Sequence, residues 1–233
     1  MSFNDLIVEI PNVISKELCE EIIERFEADD GKYQGVTAGG EDLRTKVSTD
    51  LHISSSESWA EIDDKLYQAT TSHFSQYTET YSKYTGAYPD GVGLHDTGFQ
   101  IQRTNPGEFY HWHHDYQQSI IDEQRFCDKN DNELVVTRDR LFTFILYLND
   151  RTEYQEDGRT QFQNCGDVTS IVAEPGKLLL FPANPLYTHR GETLENGVKY
   201  LITGWCCSFS HTRMDFVSDK QLETISDYVR SFG

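Results

Sequence analysis

Between residues 98 and 209 the chain is cut into short runs rich in Phe, Ile, Val, Thr, Tyr and Leu, at 98–104, 109–115, 141–148, 168–173, 177–182 and 197–209. Each is bounded by Gly, Asn, Asp or Pro, which is the pattern of strands separated by turns. Ahead of them lie two stretches with helical spacing. Ser15 caps a run in which Leu18, Ile22, Ile23 and Phe26 share one stripe. From Ser54, a Ser-Ser-Ser-Glu capping box introduces Trp59, Ile62, Leu66, Ala69, Phe74, Tyr77 and Tyr81 at three- and four-residue steps, until Gly86-Ala-Tyr-Pro-Asp-Gly-Val-Gly93 ends the helix. Helices followed by many short strands predict an α+β protein, with a double-stranded β-helix (jelly-roll) core and helices packed on one face. The expected organisation is a single domain over 1–233: helical support and lid loops in 1–97, the jelly roll in 98–209 and a C-terminal helix in 210–233, with the helical period at 218–232. Residues 29–50, rich in Gly, Asp and Thr, read as a long loop.

Three of the eight histidines fall within Tyr110-His-Trp-His-His-Asp115. On an extended segment side chains two apart face the same way, so His113 and Asp115 converge while His114 turns aside. Taken alone, such a pair reads as a solvated pair at a strand end. A third, distant histidine would complete a two-His-one-carboxylate triad, which leaves metal positions open for co-substrate and oxygen. His189 fits this place best: it lies between Lys177-Leu-Leu-Leu-Phe-Pro182, an apolar run that reads as a buried strand, and the long strand 197–209.

On that last strand Lys199, Leu201, Thr203 and Trp205 alternate onto one face. A lysine on such a face is costly to bury unless an anion meets it. The plainer reading is a lysine at the sheet edge snorkelling to water. Thr203 either adds a hydrogen bond near the co-substrate or packs as an ordinary strand residue.

Composition narrows the partners. A formal charge of −19 disfavours phosphate backbones and anionic membranes, so neither nucleic acid nor membrane is expected. The first ten residues lack the basic start and apolar run of a signal peptide, and five cysteines do not make a disulfide framework; a cytoplasmic location follows as an expectation. Cys206 and Cys207 are expected to face opposite sides of a strand, one of them buried. Arg44 and Lys46 read as solvated charges within the long loop, with contact to an acidic substrate as the alternative.

The residues resemble the prolyl 4-hydroxylase-like branch of the 2-oxoglutarate and iron(II) oxygenases. Thr104-Asn-Pro-Gly107-Glu-Phe-Tyr110-His-Trp-His113-His-Asp115 reproduces that family's spacing, with Thr104 in place of its first tyrosine. Tyr147-Leu-Asn149, Asp157-Gly158-Arg-Thr160-Gln-Phe162, Pro175-Gly176, and His189 ten residues before Lys199 follow in the family's order, with Asp157 in place of a glycine. The resemblance implies iron on His113, Asp115 and His189, and 2-oxoglutarate on Lys199, with Tyr147 or Thr104 as a further hydrogen-bonding partner. It implies Fe(II), 2-oxoglutarate and O2 as cofactors, with ascorbate as an accessory reductant. The implied reaction hydroxylates an unactivated C–H and converts 2-oxoglutarate to succinate and CO2. Because the family's halogenating relatives carry a small residue where this chain has Asp115, hydroxylation is the expected outcome. Peptidyl proline is the substrate the resemblance implies, with another protein side chain, a free amino acid or a small metabolite as alternatives. Two rivals are a zinc hydrolase on the same ligands, which gives Lys199 no role, and a non-catalytic jelly-roll binding module, which gives the triad none.

Overall fold

The computed structural model describes residues 3–37, 40–85, 94–127, 133–154 and 157–213. After a 3-10 turn at Phe3–Leu6 come β1 (Val8–Ile10), α1 (Lys16–Ala28), β2 (Tyr33–Gln34), β3 (Lys46–Val47) and β4 (Thr49–His52). A second 3-10 turn, Glu57–Trp59, leads into α2 (Ala60–Thr85). The strands then run β5 (Leu94–Asp96), β6 (Gln100–Thr104), β7 (Phe109–His113), β8 (Gln118–Cys127), β9 (Glu133–Tyr147) and β10 (Thr160–Asn164). β11 (Asp167–Ile171), β12 (Leu178–Pro182), β13 (His189–Gly191) and β14 (Lys199–Arg213) complete the described chain.

The strands form two antiparallel sheets. The larger follows the order β1-β12-β9-β14-β6-β4-β2, with β5 also on β14 and β8 also on β9; the smaller follows β11-β10-β13-β7-β3. The two-residue period of a strand divides the core into two layers. Phe142, Phe144 and Leu146 of β9, with Leu178 and Leu180 of β12, pack against Ile22 and Phe26 of α1 and Ile62, Leu66 and Phe74 of α2. The alternate residues Ile145, Tyr147, Leu179 and Phe181 turn the other way and meet Phe162 of β10. Both helices therefore cover the outer face of the large sheet, and the space between the sheets is left for the site. This is the double-stranded β-helix core with helices on one face.

Ser15 caps α1 as expected, its Oγ accepting from Leu18 N at 3.2 Å. The expected capping box at Ser54 does not form: α2 starts only at Ala60, and Ser54 Oγ instead accepts from Phe99 N at 2.8 Å and donates to Asp63. That serine ties the helix entry to β6. Residues 29–50 are not one loop. They supply β2, β3 and the start of β4, pairings only a few residues long that leave no periodic signature.

Residues 210–213, expected in the C-terminal helical part, extend β14 instead, because β9 starts at Glu133 and gives Ser210–Arg213 paired partners. The expected helix at 218–232 and the glycine-rich break at 86–93 lie outside the described residues. Cys206 and Cys207 are both buried: a bulge in the β9–β14 register falls between them, so strict alternation does not hold there. At Pro175-Gly176 the backbone takes φ +76°, and a Cβ on Gly176 would lie 2.2 Å from Ile14 O, so only glycine fits this turn before β12.

Candidate metal centre and co-substrate pocket

β13 lies between β7 and β10 in the small sheet, and its register sets His189 opposite His113. Asp115 follows the end of β7 and turns back toward them. His113 Nε2 lies 3.7 Å from Asp115 Oδ1, and His189 Nε2 lies 3.5 Å from Asp115 Oδ2. One ligand atom from each of the three residues falls within 4.8 Å of the others. The structure thus brings together all three residues expected at the metal.

The donor chemistry fits a divalent cation. His113 Nδ1 is 2.7 Å from His111 O, and His189 Nδ1 is 3.0 Å from Tyr187 O. A carbonyl can only accept, so each Nδ1 carries the proton and each Nε2 presents a lone pair to the shared space. Burial, aided by neighbouring His189, pushes the His113 imidazole down to about 3, which keeps it neutral as a ligand must be. Burial alone would raise the Asp115 carboxyl, but the charge that His189 or His113 carries when protonated pulls it below its ordinary range, and Thr143 Oγ1 donates to Oδ2 at 2.7 Å.

Lys199 begins β14 and lines the same cavity. Its side chain is only 4% exposed. Nζ donates to Gly158 O at 2.6 Å and to Thr160 Oγ1 at 3.4 Å, and among the described residues no carboxylate stands within salt-bridge reach. Burial, with the Arg151 guanidinium nearby, pushes the ammonium down to about 8. A buried cation without a counter-ion is an unusual expense, and the cavity in front of it is the natural place for an anion.

The other expected residues divide. Thr104 is paired in register with Lys199 and lines the cavity, as does Thr203, whose hydroxyl donates to Phe144 O at 3.1 Å. Tyr147 does not line it. It is fully buried on the same inner face beside Leu201, its hydroxyl donating to Thr160 Oγ1 at 2.8 Å and its ring 5.5 Å from Lys199 Nζ. Asp157 holds Arg151 Nη2 at 3.1 Å and accepts from the backbone N–H groups of Glu195 and Asn196, which braces the turn before β14. It leaves the neighbouring Gly158, φ +67°, free to aim its carbonyl at Lys199.

Several lining residues escaped the sequence reading. Thr143 lies two and four residues before Ile145 and Tyr147, so alternation along 141–148 already placed it on the inner face. Lys46, read as a solvated charge, is instead 4% exposed, bonded to the fully buried Asp50 at 2.6 Å, and lies 5.3 Å from the Tyr110 ring. Tyr110 in turn stacks on His113, with ring centroids 3.6 Å apart. Nothing in the sequence joins Lys46 to Tyr110, because the pairing of β3 with β7 is long-range. Arg140 stacks on Trp205 at 3.5 Å, and both line the cavity of about 380 Å³.

With that geometry in place, the match to the 2OG-Fe(II) oxygenase superfamily over residues 99–207 falls on the strands that carry all four expected groups. These residues form a 2OG-Fe(II) oxygenase domain. The chain is a 2-oxoglutarate-dependent dioxygenase, with Fe(II), 2-oxoglutarate and O2 as its cofactors. No curated protein sequence matches it.

Solved structures show the same fold around the oxygenase domain. A viral collagen prolyl hydroxylase of Paramecium Bursaria Chlorella virus-1, in its 2OG complex, superimposes with a TM-score of 0.57 at 18% identity, covering 87% of this chain and 96% of that one. A Trichoplax adhaerens prolyl hydroxylase, solved with a hypoxia inducible factor peptide fragment, gives 0.64 at 18% identity over 86% and 83%. A Pseudomonas putida prolyl-4-hydroxylase gives 0.58 at 14% identity over 86% and 91%. No helix among the described residues is long and apolar enough to cross a membrane.

Proposed function

We propose that this dioxygenase hydroxylates an unactivated C–H of a polypeptide, with peptidyl proline as its substrate. His113, Asp115 and His189 hold the iron, and Lys199 holds the distal carboxylate of 2-oxoglutarate. The observation that carries this reading is the pair of groups the fold leaves unmatched in one cavity: a His/His/Asp set with its lone pairs converging, and a buried lysine that meets no carboxylate within salt-bridge reach among the described residues. When bound, Fe(II) with 2-oxoglutarate and O2 supplies the chemistry R–H + 2-oxoglutarate + O2 → R–OH + succinate + CO2.

The chain's own work is positioning. The carbonyls of His111 and Tyr187 fix both imidazoles in the ligating tautomer, and the Thr143 hydroxyl orients the carboxylate. Thr160, backed by the Tyr147 hydroxyl, and the Gly158 carbonyl aim the ammonium. Arg140 on Trp205 makes a flat cationic wall near Asp115, suited to a ring or an amide. Peptide substrates are supported by the fold shared with three prolyl hydroxylases, one of them solved with a peptide fragment.

Adding Fe(II) and 2-oxoglutarate without oxygen separates this reading from its rivals. A chelated complex gives a visible charge-transfer absorption, which a zinc hydrolase or a binding module does not. With oxygen, a proline-rich peptide library should then yield members heavier by one oxygen. A library left unmodified while a free amino acid is hydroxylated would overturn the polypeptide assignment.

A further inference from the structure

Strand register sets the inner face of the large sheet in rows. Asp50 of β4, Gln102 of β6, Leu201 of β14 and Tyr147 of β9 stand side by side in one row, and Thr104 with Lys199 in an adjacent one. At the β4 end the polar groups satisfy one another. Asp50 accepts from Lys46 Nζ at 2.6 Å, Gln100 Nε2 at 2.7 Å and Ser48 Oγ at 2.8 Å, so its charge and that of Lys46 cancel.

Gln102 differs from them. It is 9% exposed and lines the cavity, yet its carboxamide makes no hydrogen bond among the described residues. Its amide atoms are not sealed by protein, so the carboxamide stands open to whatever occupies the cavity and has both donors and its acceptor to offer there. The chemistry of the partner follows from its surroundings. A carboxamide offers two donors and one acceptor in one plane, which a second amide complements on both sides. The two lysines of these rows are taken, Lys46 by Asp50 and Lys199 by the co-substrate it faces, and Arg140 of the same cavity is stacked on Trp205, so an amide is the better match for Gln102 than a carboxylate.

We propose that Gln102 is a specificity-determining residue that pairs with an amide of the primary substrate, a –CO–NH– group of the polypeptide next to the oxidised residue. This rests on the polypeptide reading above. The test uses Gln102→Met, which keeps length and apolar bulk but removes the hydrogen-bonding head, with Gln102→Leu as the second variant should the first fail to fold. Against the proline-containing peptide that the unmodified enzyme turns over best, KM should rise about tenfold, the scale of one lost hydrogen bond, while kcat stays within about twofold. The midpoint of an anaerobic 2-oxoglutarate titration should not move. An unchanged KM would overturn the assignment, and a shifted 2-oxoglutarate midpoint would overturn it by making Gln102 a co-substrate ligand. If the unmodified enzyme turns over no peptide at all, the polypeptide reading fails first and this inference falls with it, an outcome distinct from the other two.

Discussion

Replacing Lys199 with methionine separates binding from folding. The side chain is buried, and its ammonium is lowered from 10.5 to about 8 by burial and by Arg151. A lysine whose value falls on folding is charged in both states below about pH 8, so holding the charge inside destabilises the native protein there. At ~1.4 kcal/mol per unit, that cost is about 3 kcal/mol. Methionine removes it but strands the Gly158 carbonyl, which loses its 2.6 Å donor; an unsatisfied buried acceptor costs about 1–3 kcal/mol. The two nearly cancel, so the variant's thermal midpoint without ligand should stay close to that of the parent. Affinity for 2-oxoglutarate should fall sharply, since a charge-assisted hydrogen bond contributes about 1.5–3 kcal/mol, or roughly 10- to 150-fold. The assay is calorimetric titration of 2-oxoglutarate into the Fe(II)-loaded protein without oxygen, beside a thermal melt of each apo protein. A variant that binds 2-oxoglutarate within about twofold of the parent would refute the reasoning, because that charge would then face no anion.

Three further outcomes follow from the same contacts. Between pH 7 and 9.5, 2-oxoglutarate binding to the Fe(II) protein should weaken as pH rises through the Lys199 value of about 8, because the ammonium is lost; a flat profile in the same titration would count against Lys199 as the anchor. Thr143→Val removes the 2.7 Å donor to Asp115 and should weaken iron binding about 10- to 100-fold in a chelator competition, with the fold retained by circular dichroism. Asp157→Ala leaves the buried Arg151 guanidinium without its carboxylate and should lower unfolding stability in urea by about 3–5 kcal/mol.

The fold was legible where burial is periodic. The alternation along 141–148 and the apolar run 177–182 place two strands of the large sheet, and the stripe from Trp59 to Tyr81 places α2 against them. Short strands were not legible, since β2 and β3 are two residues each and exist only because β4 and β7 pair with them. The site followed the same division. His113, Asp115, His189 and Lys199 stand at spacings the sequence displays. The arrangement of Lys46, Asp50, Gln100 and Gln102 depends on β3, β4 and β6 meeting, which no local pattern records. Tyr147 stands in the neighbourhood the sequence assigned to it, with its hydroxyl on Thr160, the residue that lines the cavity there.

The most direct measurement is a crystal structure of the protein grown without oxygen in Fe(II) and 2-oxoglutarate. Iron should be bound by Nε2 of His113, Nε2 of His189 and the carboxylate of Asp115, with the far carboxylate of 2-oxoglutarate on Lys199 Nζ. Iron seated on other residues, or a co-substrate whose distal carboxylate avoids Lys199, would contradict the account.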